Sequence, residues 1–203
     1  AFRGVVTSSD SLAADPEVFS KQLQRSLDRW RSEGYRVVWL HVPLEKARLI
    51  PATVEAGFTF HHADNDGAML ILRLEKGAFV PYHATHYIGA GGAVFDGEEN
   101  LLVVSEKYRR RSGSRHFKLP GGALRPGEHI VSAVKREVKE ETGIDTRFEA
   151  LVCFRHWHGY RFDKSDIYFV CRLSALSHDI RRQESEIIEC RWMPVEEYLE
   201  RED

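Results

Sequence analysis

Apolar residues recur at helical spacing in several segments of the chain. Phe19, Leu23, Leu27 and Trp30 follow the three-and-four spacing of one helix face, and Gly34 then stops the pattern. Pro43 is typical of the first turn of a helix, and Pro194 is placed in the same way near the end of the chain. We therefore predict helices over 16–34, 43–57 and 126–143, and a closing helix after residue 194.

Alternating or continuous apolar runs separate these helices and predict strands. The predicted strands cover 35–42, 58–62, 68–74, 85–95, 101–105, 148–154, 167–173 and 187–192. The turn residues of Asp64–Gly67 join two of them into a hairpin. Helices and strands mix throughout, so we expect an α/β or α+β fold with a mixed sheet. Residues 1–15 are small and polar, and we expect a poorly anchored lead-in there.

A break at 76–81 divides the chain into a domain of residues 1–80 and one of residues 81–203. We find no catalytic constellation in the first domain. Two adjacent histidines, His61 and His62, could indicate a metal site. Consecutive strand residues point to opposite faces and cannot easily share one ion, so we expect structural roles for both. In the second domain, Gly89, Gly91 and Gly92 do not form a dinucleotide fingerprint, and they predict a bulge or the close approach of another backbone or ligand.

Composition narrows the classes of partner. The 203 residues are 42% hydrophobic and 30% charged, with a net charge of −2, which gives no argument for nucleic acid as a partner. No apolar run has the length of a membrane helix, so we expect no membrane contact. Three widely spaced cysteines without a CxxC pattern argue against disulfides and suit a reducing compartment. We expect a cytoplasmic protein. The chain begins at Ala1, so secretion after removal of a signal peptide stays open.

Three carboxylates mark the helix predicted between Gly127 and Gly143. At about 100° per residue, Glu137, Glu140 and Glu141 fall on one face, while Val131, Val134 and Val138 form an adjacent stripe that can pack on a sheet. Crowded carboxylates repel one another unless a hard cation lies among them. Oxygen ligands of this kind suit Mg²⁺ or Mn²⁺.

This segment resembles the Nudix box of the Nudix hydrolases, with no departure from its pattern. The matching residues are Gly122, Glu128, Arg136, Glu137, Val138, Glu140, Glu141, Gly143 and Ile144. The resemblance covers roughly residues 84–203. It implies a Nudix α/β/α sandwich with a mixed sheet, preceded by a small α/β pre-Nudix domain that is partly similar to an acetyltransferase fold. It also implies metal-dependent hydrolysis of a nucleoside diphosphate linked to another group.

The resemblance also implies roles for residues around the box. Glu137, Glu140 and Glu141 would hold the metal, together with the backbone carbonyl of Gly121 or Gly122. Arg136 would orient Glu137 or Glu140, and Glu128 would support them. The general base would be Glu141 or Glu186, and the residues alone do not decide between them.

Shorter phrases, among them 57–63, 154–156, 164–166 and 191–194, are similar to a narrower subgroup. Its members are a vertebrate Nudix protein encoded antisense to basic fibroblast growth factor, and plant and oomycete ADP-ribose/NADH pyrophosphatases. The implied substrates are ADP-ribose or NADH, giving AMP and a phosphorylated remainder. Arginines in the basic stretch 107–115 can bind phosphates, and aromatic side chains can stack on a base. The candidate substrate-binding residues are Arg109, Arg115, Phe117, His156, Trp157, His158 and Tyr160.

Two other functions stay open. One is hydrolysis of a different diphosphate, such as diphosphoinositol polyphosphate, coenzyme A or an mRNA cap. The other is a non-catalytic module that binds a nucleotide, or a protein partner through residues 1–80. An intact set of three carboxylates favours an enzyme, because a pure binder does not need all three. Many members of the family dimerise, so a homodimer is possible.

Overall fold

The computed structural model describes residues 3–107 and 116–201, and the chain divides into two compact units, Ala1–Ala84 and Thr85–Asp203. The first unit contains β1 (Gly4–Val6), α1 (Pro16–Ser32), β2 (Val37–Pro43), α2 (Ile50–Glu55), β3 (Thr59–Ala63) and β4 (Gly67–Arg73). The second contains β5 (His86–Phe95), β6 (Asn100–Glu106), β7 (Gly121–Ala123), α3 (Ile130–Thr142), β8 (Thr146–Trp157), β9 (Ser165–Ala175), β10 (Ile187–Pro194) and α4 (Val195–Leu199). In the part of the chain that is described, no helix combines the length and apolar character needed to cross a membrane.

Helix α1 packs on a four-stranded sheet with the order β1-β2-β4-β3. Asp15 caps the helix, because its Oδ1 accepts the N–H groups of Glu17 and Val18 at 3.0 and 2.9 Å. The predicted apolar face, including Leu23 and Leu27, is buried in the core of this unit. The helix predicted over 43–57 is instead a 3₁₀ helix, Leu44–Leu49, followed by the short α2.

Residues 4–12 are anchored, which contradicts the predicted lead-in over this part of the chain. Strand β1 pairs in parallel with β2, with Val5 opposite Val38. Leu12 is buried in the core of the unit. Lys46 donates from Nζ to the carbonyls of Ser9 and Leu12 at 2.9 and 3.0 Å. This segment is ordered by partners more than 30 residues away, which local composition does not reveal.

Strands β3 and β4 form the predicted hairpin, and Asp64 Oδ1 accepts the N–H groups of Asp66 and Gly67 in its turn. A β-bulge interrupts β3, because His61 and His62 together oppose the single residue Met69. A bulge breaks the alternation of side chains between the two faces of a strand. The two imidazoles accordingly lie side by side, and the prediction that they point to opposite faces was wrong.

The second unit is built on a six-stranded mixed sheet with the order β10-β6-β5-β9-β8, and β7 pairs with β5. Strands β5 and β9 run parallel, and the other neighbours are antiparallel. Alternation along β6 directs Leu102 to a core with α3, and Leu101 and Val103 to a second core with residues of α4. Helices therefore cover both faces of the sheet, which confirms the predicted α/β/α sandwich.

Candidate active site

Helix α3 carries the clustered carboxylates and ends at Gly143, whose left-handed φ of 78° suits glycine. Val134 and Val138 are buried against the sheet, together with Ala133. Val131 is 41% exposed, so the predicted stripe of three valines was wrong at that position. The buried stripe fixes the rotation of the helix and leaves the glutamates at its border.

Arg136 forms a bidentate ion pair with Glu128. Its Nε and Nη2 donate to the two carboxylate oxygens of Glu128, each at 2.8 Å. The backbone N–H of Arg125 also donates to Glu128, at 2.9 Å. These donors lower the pKa of Glu128 to about 2, mainly through the hydrogen bonds from Arg136. Glu128 thus ties the loop before the helix to its second turn.

The remaining nitrogen of Arg136 reaches two of the clustered carboxylates. Its Nη1 donates to Oε1 of Glu137 at 2.7 Å and to Oε2 of Glu140 at 3.1 Å. Arg125 donates from Nη2 to Oε1 of Glu140 at 3.1 Å. The sequence left open whether Arg136 orients Glu137 or Glu140, and in the structure it contacts both.

Glu141 is the most deeply buried of these carboxylates, at 6% exposed. Its Oε2 accepts the backbone N–H of Gly121 at 2.9 Å. The pKa of Glu141 is raised to about 7, mainly by burial. The negative charges of Glu106 and Glu137 also raise it, whereas Lys118 and the Gly121 N–H lower it. A carboxylate in this position is costly to ionise without a cation beside it.

Gly121 and Gly122, at the start of the box, place the backbone close to these carboxylates. A Cβ at Gly122 would lie 2.8 Å from the carboxylate of Glu137. The N–H of Gly92 donates to the carbonyl of Pro120, and the N–H of Leu124 donates to the carbonyl of Ile88. In an antiparallel pair every second residue bonds to the partner strand, so the carbonyl of Gly122 points into the ladder with β5. The same alternation turns the N–H and carbonyl of Gly121 away from β5, and the N–H meets Glu141.

The donor set fits a hard divalent cation. Among the described residues, Oε2 of Glu137 and Oε1 of Glu141 accept no hydrogen bond. When ionised, the four carboxylates of Glu128, Glu137, Glu140 and Glu141 exceed the two arginines paired with them by two negative charges. Oxygen donors with surplus negative charge are the ligands that Mg²⁺ and Mn²⁺ prefer.

On the face of β5 that points away from α3, the Tyr168 side chain lies against Gly89 and Gly91. A Cβ at Gly89 would fall 2.7 Å from its ring, and one at Gly121 would fall 2.7 Å from its hydroxyl oxygen. The Tyr168 ring fits here only because these residues have no side chain, so the group that approaches Gly89 and Gly91 most closely is a side chain and not the predicted backbone or ligand. Burial and the charge of Glu141 raise the pKa of Tyr168 above its usual value.

Arg155 was not predicted, although it lies beside this tyrosine. Its guanidinium carbon is 5.3 Å from the ring centre of Tyr168 and 5.8 Å from that of Trp157, and Nη2 is 3.8 Å from a carboxylate oxygen of Asp166. The side chain of Arg155 is 60% exposed. Alternation along β8, which puts Arg155 and Trp157 on one face, was the signal that could have indicated it.

Each of the residues predicted to bind a base at 156–160 already contacts another side chain. Trp157 contacts Arg155, whereas its neighbour His156 meets His86, with the two Nε2 atoms 2.9 Å apart, and packs near His158. Nδ1 of His158 is 2.8 Å from Oγ of Ser165, and Tyr160 packs edge-on against Tyr87.

Phe117 is 4% exposed in the core with Leu101 and Met193, and two guanidinium groups, from Arg191 and Arg201, lie over its ring. The prediction that Phe117 offers a stacking surface was wrong, because that ring is buried and covered.

The predicted roles of Arg109, Arg115 and Glu186 stay predictions. Arg109 and Arg115 lie outside the described residues. Glu186 is exposed, and its backbone contacts Lys107 and Gln183. Within the described ranges, no hydrogen bond or ion pair joins the Glu186 side chain to α3.

Comparisons with known proteins agree with this geometry. The family model described as the NUDIX domain matches residues 85–203, and one described as the Nudix hydrolase domain matches residues 1–74. The chain belongs to the Nudix hydrolase family. Nudix hydrolase 8 of Arabidopsis thaliana is 39% identical over 201 residues, covering 98% of this chain and 54% of that protein. Human nucleoside diphosphate-linked moiety X motif 6 is 38% identical over 193 residues, covering 93% of this chain and 60% of that protein.

A solved structure shows the same fold. The MutT protein from Methanosarcina mazei Go1 superposes with a TM-score of 0.50 at 24% identity, covering 60% of this chain and 86% of that one. The chain spans a little over half the length of the two curated relatives described above. Family membership confirms the resemblance of the box, and Nudix hydrolases as a family use divalent metal ions and small nucleotide substrates.

Proposed function

We propose that this protein hydrolyses a nucleoside diphosphate linked to another moiety, with Mg²⁺ or Mn²⁺ as cofactor. The observation that carries the proposal is the buried Glu141, held by the Gly121 N–H beside Glu137, in a cluster with surplus negative charge. A structural ion-pair network would balance its charges, and this one does not.

We assign the metal to Glu137, Glu140 and Glu141, with the carbonyl of Gly121 completing the ligands. Gly122 is the weaker choice, because its carbonyl faces the β5 ladder. The ion pairs with Arg136 use one oxygen of Glu137 and leave the other free, so they orient the carboxylate without consuming it. A bound divalent ion supplies positive charge against the diphosphate and acidifies a bound water.

Glu141 is our choice for the general base. Among the described residues its Oε1 accepts no hydrogen bond, so this oxygen is open to a metal-bound water. Glu186 remains the alternative on the loop before β10. Glu128 and Arg136 act as positioning residues, since they hold Glu137 and Glu140 and lie on the loop and helix that frame the site.

For the substrate we propose ADP-ribose or NADH, which release AMP and a phosphorylated remainder. The exposed guanidinium of Arg155 offers a cation for a phosphate, and Trp157, which is 58% exposed, offers a ring face beside it. The name of the human relative, nucleoside diphosphate-linked moiety X motif 6, is consistent with this class. The similarity to the subgroup of antisense-encoded vertebrate and ADP-ribose/NADH-hydrolysing proteins supports the finer choice.

The decisive experiment measures phosphate-bond hydrolysis with Mg²⁺ or Mn²⁺ on ADP-ribose, NADH, a diphosphoinositol polyphosphate, coenzyme A and a capped RNA. Glu140→Gln and Glu141→Gln are expected to lower turnover by roughly 100-fold or more. Glu149→Gln is the matched control, because this carboxylate is on β8 and bonds Arg147 and Ser174.

Near-normal turnover in both α3 variants would contradict the assignment of these residues. Activity on only another diphosphate would reject the substrate alone. No metal-dependent hydrolysis of any compound would favour the non-catalytic module.

We also propose a homodimer formed along the outer strand β8. Leu151, Val152 and Phe154 are 50%, 59% and 62% exposed on this strand, which ends the six-stranded sheet. An edge strand with exposed apolar side chains is suited to burial against a second copy. Residues 1–80 would form a companion domain to the catalytic residues 81–203, and the free cysteines suit a cytoplasmic location.

A further inference from the structure

Three histidines of the first unit bring their ring nitrogens together. His61, His62 and His83 each offer a nitrogen, and these atoms lie within 4.8 Å of one another. His61 and His62 are adjacent because of the bulge in β3, and His83 follows Pro81 in the segment after β4. Nothing in the proposed hydrolysis uses these side chains.

His61 has the hydrogen-bond arrangement of a metal ligand. Its Nε2 lies 2.8 Å from the carbonyl oxygen of Pro81. Because a carbonyl only accepts, Nε2 carries the hydrogen, and in the neutral ring Nδ1 presents a lone pair. Metal-bound histidines commonly donate their second ring N–H to a backbone carbonyl in this way. The edge of the Trp39 ring, 4.9 Å away between centroids, helps to hold the orientation.

The lone pair of His61 faces the ring of His62. The two Nδ1 atoms are 2.7 Å apart, and the rings are inclined at 73°. Two nitrogens bound to one zinc ion at about 2.1 Å lie no more than about 4.2 Å apart. A small opening of the His61–His62 pair, with the hydrogen of neutral His62 carried on Nε2 instead of Nδ1, provides two ligands.

His83 supplies the third nitrogen after a side-chain rotation. Its ring now stacks on that of His62, with centroids 4.4 Å apart and planes 5° apart, so their lone pairs lie in parallel planes. His83 is exposed, which leaves its ring free to turn towards His61. A surface cavity of ≈ 470 Å³ lined by His61 and His83 gives an ion access from solvent.

We propose that His61, His62 and His83 form a zinc site separate from the carboxylates of α3. Imidazole nitrogens suit Zn²⁺ and related transition metals, whereas Mg²⁺ takes oxygen ligands. The ion would leave one coordination position for water. It would tie the segment around Pro81 to β3, the edge strand of the first sheet, and so stabilise this unit.

The test is a Zn²⁺ titration of the whole chain in excess Mg²⁺, which occupies the carboxylate site, with a chromophoric chelator as competitor. We expect one equivalent of Zn²⁺ to bind and to raise the thermal midpoint of the wild type. His62→Ala and His83→Ala are expected to weaken this binding at least tenfold. His156→Ala is the matched control, since it removes an exposed imidazole from β8, and it should bind as the wild type does. Co²⁺ in place of Zn²⁺ should give a visible absorption band that His83→Ala abolishes.

His83 is exposed, so its replacement keeps the test valid even if His62→Ala does not fold, and circular dichroism checks both variants. Absence of Zn²⁺ binding in excess Mg²⁺ would overturn the proposal. So would equal weakening by His83→Ala and His156→Ala. Hydrolysis assayed with Mg²⁺ alone is independent of this site, and its failure would concern only the proposed activity.

Discussion

Glu141 gives the most direct test of the electrostatics, through stability rather than turnover. In the folded, metal-free chain the pKa of this buried carboxyl is about 7, against an ordinary value of 4.5. A folded-state pKa above the unfolded value means that the folded chain binds more protons, so stability falls as pH rises from 4.5 to 7. Above pH 7 the full cost of the ionised carboxylate is present.

The magnitude follows from that difference in pKa. At about 1.4 kcal/mol for each pH unit, the ionised Glu141 costs about 3 kcal/mol at pH 8. Glu141→Gln keeps the shape of the side chain and an oxygen that accepts the N–H of Gly121, but it cannot ionise. At pH 8 and without metal, we expect the free energy of unfolding of the variant to exceed that of the wild type by up to about 3 kcal/mol. The thermal midpoint should rise by on the order of 10 °C. At pH 4 the two proteins should be equally stable.

The assay is thermal or denaturant unfolding in chelator at pH 4, 6 and 8, repeated at pH 8 with Mn²⁺. Mn²⁺ should stabilise the wild type, because it binds the ionised carboxylate in the folded state, and should stabilise the variant less. Glu140→Gln is the control, because Glu140 is 44% exposed and paired with Arg125 and Arg136, and it should show no gain at pH 8. A Glu141→Gln variant that is less stable at every pH, by a constant amount, would refute the reasoning.

Three further predictions concern the surroundings of the carboxylates. Gly122→Ala places a Cβ 2.8 Å from the Glu137 carboxylate, so Mn²⁺ titration should show roughly 10–100-fold weaker binding; unchanged affinity would contradict the tight contact. Arg155→Ala should raise KM about tenfold with kcat nearly unchanged, because the substrate loses one charge-assisted hydrogen bond. The control Arg147→Ala, on the same strand, should change neither constant. Glu128 has a pKa lowered to about 2 from 4.5, so its ionised form contributes stability above pH 4.5 that disappears as pH falls towards 2. Denaturant titrations should therefore show Glu128→Gln less stable than the wild type at pH 7 and equal to it near pH 2, and a gap that persists in acid would exclude the ion pair as the cause.

Predictions from the sequence succeeded where the deciding interactions are local. The hairpin turn at Asp64 depends on bonds to residues two and three positions ahead. The contacts of Arg136 with Glu137 and Glu140 join neighbours on one helix, so their spacing along the chain already places them together. The apolar run at 101–104 likewise predicted the strand β6.

Other features depend on strand register and packing between distant residues. The bulge that brings His61 beside His62 exists only because β3 pairs with β4 in one register. Phe117 looks like any loop aromatic in the sequence, and its burial depends on β6 and β10 closing around it. The anchoring of Gly4–Val6 depends on pairing with β2, more than 30 positions away.

The amino-acid order by itself determined the carboxylate helix, its flanking glycines and the arginine that pairs with it, because a helix converts fixed spacing into fixed neighbours. The tertiary structure alone decided which of those carboxylates is buried. The pKa of Glu141 is raised by burial, whereas the N–H of Gly121, 20 positions earlier on β7, lowers it. Burial is a property of how distant segments pack, and helical periodicity carries no information about it for an acidic residue.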